Sequence, residues 1–203
     1  MNGAVRIAFL IAAGYLTLVL FARLLAASAL YHPQMGSRAA PAGLQKIRGP
    51  QGHDVAIVHL PNPKARYTLW FFHGNAEALG DLEPFLHALH AAGFGVFAID
   101  YPGYGLSGGR PSEASIYAAA RAARVYLRHE LKVPAASTII FGRSLGGGPA
   151  VEMAAEEPVG GLVLQSTFTS VYRVLTRWRV LPFDCFENER KIARVKCPVL
   201  IMH

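Results

Sequence analysis

Ser137-Thr138-Ile139-Ile140-Phe141-Gly142-Arg143-Ser144-Leu145-Gly146-Gly147-Gly148 is the stretch whose reading decides the fold. A β-branched, apolar run enters it, and an alanine-rich segment from Ala150 to Glu157 follows. Gly142-x-Ser144-x-Gly146 therefore sits between a strand and a helix, the context of a nucleophile elbow. Such a turn is sharp and holds its serine in a strained backbone conformation. Side chains at the two glycine positions would collide with the neighbouring strand and helix. The turn lifts the serine oxygen clear of the sheet and points the next helix at it, so the N–H of Leu145 can donate to a developing oxyanion. The pattern recurs as Gly105-Leu106-Ser107-Gly108-Gly109. Ser107, however, lies several residues beyond a strand, and Pro111 and Ser112 open the next helix only later. It reads as a loop serine, which leaves Ser144 as the candidate nucleophile.

Working outward, short strands are expected at 44–48 and 55–60, separated by Gly49-Pro50-Gln51-Gly52. Tyr67-Thr68-Leu69-Trp70-Phe71-Phe72 is a continuous apolar run suited to a strand buried on both faces. It ends in His73-Gly74-Asn75-Ala76. A helix over about 78–92 puts Leu79, Leu82, Leu86 and Leu89 on one face, and Gly93 ends it. A strand at 96–99 leads into Asp100-Tyr101-Pro102-Gly103-Tyr104-Gly105. Ser112 then caps an alanine-rich helix running to about Leu131. Further strands follow at 137–141, 162–165 and 199–202, with a mixed, aromatic stretch between the last two. Strands alternating with helices mean βαβ units and a mainly parallel sheet, an α/β fold.

The 203 residues are 52% apolar, enough for one sizeable core. The net charge of +7 comes without a Lys/Arg cluster interleaved with aromatics, so a nucleic-acid partner is not expected. Cys185 and Cys197 show no metal-ligand spacing and read as ordinary thiols rather than a disulfide.

At the N-terminus, residues 7–22 are uncharged and mostly apolar. Sixteen helical residues reach ~24 Å, short of a ~30 Å hydrocarbon core, but continuation to Leu30 gives ample length, with Arg23 snorkelling near one end. Residues 1–31 are thus expected to be a single-pass membrane anchor of undetermined orientation. The competing readings are a signal peptide cleaved at Ala27-Ser28-Ala29 and a buried soluble helix. Residues 32–43, with Pro33, Gly36, Pro41 and Gly43, read as a linker, and 44–203 as the domain.

Four stretches in this order resemble the α/β-hydrolase superfamily, most of all its membrane-anchored, abhydrolase-domain-containing serine hydrolases. They are His73-Gly74-Asn75-Ala76, Asp100-Tyr101-Pro102-Gly103-Tyr104-Gly105-x-Ser107-x-Gly109-Arg110-Pro111-Ser112-Glu113, Gly142-Arg143-Ser144-Leu145-Gly146-Gly147, and Cys197-Pro198-Val199-Leu200-Ile201-Met202-His203. The resemblance implies Ser144 as nucleophile, an oxyanion hole from the N–H groups of Asn75 and Leu145, and His73 as a structural residue of the oxyanion loop. It also implies hydrolysis of an ester or thioester, an acylated substrate near a membrane, and no metal or organic cofactor. A serine peptidase of the same fold and an inert membrane-tethered interaction module are the alternatives. In the family the triad runs Ser, then Asp or Glu, then His. The acid and histidine are expected beyond His203, so the chain as given is expected to be an inactive fragment. Among the acidic residues after the elbow (Asp184, Glu187, Glu189), Asp184 is the alternative acid. His203 is the alternative base.

Overall fold

The computed structural model of the chain describes residues 2–175 and 181–203. Seven strands form one sheet: β1 (Leu44–Arg48), β2 (Asp54–Leu60), β3 (Thr68–Phe72), β4 (Gly95–Ile99), β5 (Thr138–Arg143), β6 (Gly161–Gln165) and β7 (Val199–Met202). Their order is β1-β2-β4-β3-β5-β6-β7. The strands from β4 to β7 pair in parallel, and β1 and β2 add an antiparallel flank. Each strand lies within two residues of the bounds expected from sequence, because the apolar runs are short and closed by Gly, Pro or polar residues.

Side-chain alternation splits the core between the two faces of the sheet. Trp70, Phe72, Phe97, Ile99 and Ile140 pack on one face against α3 (Glu113–His129) and α4 (Gly147–Glu156). Phe71, Val96, Ala98 and Phe141 pack on the other against Leu79, Leu82 and Leu86 of α2 (Leu79–Ala91). Full burial of each large apolar side chain contributes about 1.5–3 kcal/mol. At the start of α3 the Ser112 Oγ accepts the Ser115 N–H at 3.0 Å, and the Ser115 Oγ accepts the Ser112 N–H at 2.9 Å. Two N–H groups that the helix itself leaves without partners are thereby satisfied. On the outer strand β7, Val199, Leu200 and Ile201 are exposed.

A 28-residue helix, α1 (Gly3–Leu30), precedes the domain. Its segment Gly3–Ala22 has a mean hydropathy of 2.1 and is not buried against the domain. Twenty residues span ~30 Å, so this helix is long and apolar enough to cross a membrane. The side chains of residues 23–29, on which Arg23 snorkelling and an Ala27-Ser28-Ala29 cleavage site turn, lie outside the described residues, as does the 176–180 part of the mixed stretch.

Past α1 the chain is tied to the domain. Tyr31 is only 6% exposed and meets the Phe186 ring edge-on at 6.5 Å. Further on, the Ser37 N–H donates to Asp81 Oδ2 (2.8 Å) and the Ala42 N–H to Glu83 Oε1 (3.2 Å), so residues 37–42 run along α2. A short α5 (Val171–Leu175) and α6 (Asn188–Lys191) lie between β6 and β7.

Candidate active site

β3 and β5 are parallel neighbours with Phe72 opposite Gly142. Both strands therefore deliver their next residues to the same edge of the sheet, the crevice at the strand carboxyl ends. His73-Gly74-Asn75 arrive from β3, and Arg143-Ser144-Leu145 from β5. A side-chain carbon placed on Gly74 would lie 3.7 Å from Ser144 Cβ.

The turn at Ser144 is strained, with φ at +49°, a left-handed conformation that costs a non-glycine residue about 1–2 kcal/mol. The strain is held by close packing. A Cβ on Gly146 would stand 2.1 Å from the Phe72 carbonyl oxygen and 2.8 Å from that of His73. One on Gly142 would meet the Gly146 carbonyl oxygen at 2.6 Å and Ala150 Cβ at 2.7 Å. Thr167, just after β6, donates its hydroxyl to the Ser144 carbonyl oxygen at 3.0 Å. α4 starts directly behind the turn and presents its N-terminal, electropositive end to it.

Ser144, Leu145 and Asn75 line one cleft of about 400 Å³. The rest of its wall is Leu30, His32, Phe168, Val171 and Val174, mostly apolar. The loop carrying Asn75 is braced by Glu77. Its Oε2 accepts the Gly74 N–H at 2.7 Å, and its Oε1 accepts from the Arg143 guanidinium at 2.8 Å. Arg143 also donates to Gln165 Oε1 at 3.2 Å and lies over the Phe85 ring at 4.4 Å. One carboxylate thus ties the β3 loop to the residue preceding Ser144.

The remaining candidates lie elsewhere. His73 is fully buried. Its Nδ1 is 2.8 Å from the Gly74 carbonyl oxygen, so that nitrogen carries the proton, and its ring stacks on Tyr101 with centroids 4.1 Å apart. Its Nε2 is 3.4 Å from Asp100 Oδ1 and makes no hydrogen bond. Asp100 is occupied with backbone, accepting the Leu79 N–H at 2.9 Å. The Ser107 hydroxyl donates to the Asp100 carbonyl oxygen (2.9 Å) and accepts the Ala56 N–H (2.8 Å), clasping its loop to β2.

Asp184 accepts the N–H groups of Tyr172 and Cys185 at 3.0 and 2.8 Å. Glu187 and Glu189 border a separate depression with Arg173 and Arg190, outside the Ser144 cleft. His203 follows Met202, which pairs with Gln165, which in turn pairs with Arg143. Two strand spacings, about 10 Å, therefore separate its backbone from the elbow. Both cysteines are free. Burial first, then the nearby Glu113 and Asp184 charges, push the Cys185 thiol up to about 11, and burial raises Cys197 as well. Neither is a thiolate at neutral pH. Among the described residues no group of three or more His, Cys, Asp or Glu side chains is placed to hold a metal.

Five contributors escaped sequence reasoning. Arg143 and Glu77 lie 66 positions apart, and only the fold joins them. Tyr104 sat inside a quoted motif without a role, and Leu30 and His32 fell where an anchor meets a linker. The spacing of Glu77 three residues after Gly74 was the one available signal.

A parallel sheet with helices on both faces and a strained serine turn at the strand ends define the α/β-hydrolase class. The chain belongs to the hydrolase family whose model is described as "Serine aminopeptidase, S33", which matches residues 63–188. It is similar to the alpha/beta hydrolase domain-containing protein aho-3 of Caenorhabditis elegans, 41% identical over 152 residues, covering 70% of this chain and 44% of that protein. Human alpha/beta hydrolase domain-containing protein 17B is 37% identical over 160 residues, 77% of this chain and 56% of that protein. The chain spans about half the length of these curated relatives. Among solved structures, an alpha-beta hydrolase from Vibrio vulnificus superposes with a TM-score of 0.64 at 21% identity, covering 79% of this chain and 63% of that one. A Pyrococcus furiosus esterase does so with 0.64 at 16% identity, covering 78% and 67%. At such identities the likeness is one of fold.

Proposed function

We propose that the whole protein is a membrane-anchored serine hydrolase that cleaves an ester or thioester. Ser144 Oγ attacks the acyl carbon and gives its proton to a general base, which the chain order Ser, acid, His places later in the whole protein. The N–H groups of Asn75 and Leu145 hold the oxyanion. The alcohol or thiol leaves with a proton, and water then frees the acid from Ser144. The observation that carries this reading is the left-handed Ser144, wedged between Gly142 and Gly146 in the cleft it shares with Asn75.

The lining favours an acyl group. Leu30, Phe168, Val171 and Val174 offer apolar surface to a chain but no charge. An aminopeptidase needs a carboxylate to hold the substrate's α-ammonium, and none lines this cleft among the described residues. Leu30 is both the last residue of α1 and part of the wall, which puts the cleft beside the proposed membrane span.

A fluorophosphonate probe tests the assignment on the whole protein. Ser144→Ala abolishes labelling and hydrolysis of p-nitrophenyl butyrate and an acyl thioester, whereas Ser107→Ala retains both. Labelling that survives Ser144→Ala refutes the nucleophile. A folded whole protein that neither labels nor hydrolyses is an inert module.

A further inference from the structure

The end of α1 reaches the candidate site through one side chain. Leu30 is among the last residues of the helix, whose carbonyl groups lack intrahelical partners. Its carbonyl oxygen accepts from Asn75 Nδ2 at 2.6 Å. Two residues on, the His32 N–H lies 3.2 Å from Asn75 Oδ1 and 3.3 Å from the Tyr104 hydroxyl. That hydroxyl donates to the same Asn75 Oδ1 at 2.6 Å. Burial raises the Tyr104 phenol well above its ordinary value, although the His32 N–H opposes the shift, so it remains a donor. The Asn75 amide therefore joins the Leu30 carbonyl, the His32 N–H and the Tyr104 hydroxyl. Tyr31, between the two backbone contacts, is sunk against Phe186 and fixes the strap to the core.

We infer that residues 30–32 form a strap that positions the Asn75 backbone amide, so that the junction between anchor and domain is a working part of the site. This rests on the reading of the Asn75 N–H as an oxyanion donor. The physical reason is geometric. An N–H stabilises an oxyanion only when aimed at it, and a loop amide keeps its aim only if the peptide planes beside it are fixed. Glu77 fixes the His73–Gly74 plane through the Gly74 N–H, and His73 Nδ1 holds the Gly74 carbonyl, which shares its plane with the Asn75 N–H. The strap fixes Asn75 itself through its side chain. Asparagine suits the place because it donates and accepts at once. An aspartate would set a carboxylate oxygen against the Leu30 carbonyl, and an alanine would release all three contacts. Tyr104 is a positioning residue that acts through Asn75.

The test is steady-state hydrolysis of p-nitrophenyl butyrate by the whole protein and by Asn75→Ala, Asn75→Asp, Tyr104→Phe and the Asn75→Ala/Tyr104→Phe double variant, each checked for a cooperative melt. Asn75→Ala and Asn75→Asp are expected to lower kcat about 10–100-fold with KM within twofold, because transition-state stabilisation is lost rather than binding. Tyr104→Phe gives a smaller loss of kcat. In the Asn75→Ala background it adds nothing, because the two residues act in series. A kcat for Asn75→Ala within twofold of the parent overturns the strap. So do multiplicative losses in the double variant. Ser144→Ala separates this from the underlying reading. If it still turns over, the nucleophile is wrong. If it is dead while Asn75→Ala is normal, only the strap fails.

Discussion

Gly146→Ala probes how tightly the elbow is built into the sheet. The new Cβ would stand 2.1 Å from the Phe72 carbonyl oxygen, 2.6 Å from its carbon and 2.8 Å from the His73 carbonyl oxygen. These are backbone atoms, and a Cβ essentially never comes within 3.0 Å of a heavy atom outside its own residue and chain neighbours. The end of β3 and the elbow must therefore separate by about 0.9 Å at this point. Phe72 is paired in the sheet on both sides, so the movement cannot be absorbed by a rotamer change. Overpacking of this kind costs about 3 kcal/mol, the upper part of its usual range. For a chain of this size that lowers the melting temperature by about 6–12 °C. The shift also pulls the Leu145 amide away from Asn75. A displacement near 1 Å at a reacting centre costs about 100-fold in rate. Thermal melts by circular dichroism, together with kcat on p-nitrophenyl butyrate, check both effects in the whole protein. Gly14→Ala, where nothing lies within 4 Å, is the control and leaves the domain's melt unchanged. A Gly146→Ala protein that melts within 1 °C of the parent and keeps its kcat refutes the packing argument.

Ser144→Gly relieves the left-handed strain that Ser144→Ala retains, so the glycine variant melts about 2–4 °C above the alanine one by circular dichroism, while neither takes a fluorophosphonate label. Glu77→Gln keeps the shape of the brace between Gly74 and Arg143 but removes its charge, and kcat falls about tenfold with little change in KM on p-nitrophenyl butyrate. After a carbonate wash the protein stays with the membrane pellet; a shorter soluble product beginning near Leu30 would instead mark a signal peptide. Partial burial pushes the Glu156 carboxyl up, but Arg121 and Arg124 outweigh it and hold the group below its usual 4.5. The stability this adds is present above 4.5 and lost as pH falls through the depressed value, so Arg121→Ala lowers the urea midpoint more at pH 7 than in strong acid.

Much of the fold was written locally. The runs Leu69–Phe72, Val96–Ile99 and Ile139–Phe141 are apolar at consecutive positions, as strands buried on both faces require, and are too short for helices. Leu79, Leu82 and Leu86 recur at helical spacing and are buried. Ser112 announced the cap of α3 by its place before an alanine-rich run. Ser144 could be set apart from Ser107 on paper because a strand, a turn and a helix are all contiguous in sequence. What adjoins them across the sheet is not. That Gly146 needs to be glycine because of Phe72, or that Glu77 holds Arg143, follows from the placement of β3 beside β5 rather than beside its sequence neighbour alone.

The sequence by itself determined the parallel sheet, the apolar N-terminal helix and the identity of the serine turn, because each is set by residue spacing over fewer than about thirty positions. Only the tertiary structure decided what surrounds that turn. Leu30 and His32, expected to fall in the anchor and the linker, line the cleft and hold Asn75 from 45 and 43 positions away. The carboxylates of Asp100 and Asp184 are occupied with backbone amides, and His73 is sealed in the interior. The physical reason is that a hydrogen-bonding group takes whatever partner the packed chain brings within 3 Å, and periodicity carries no record of that partner.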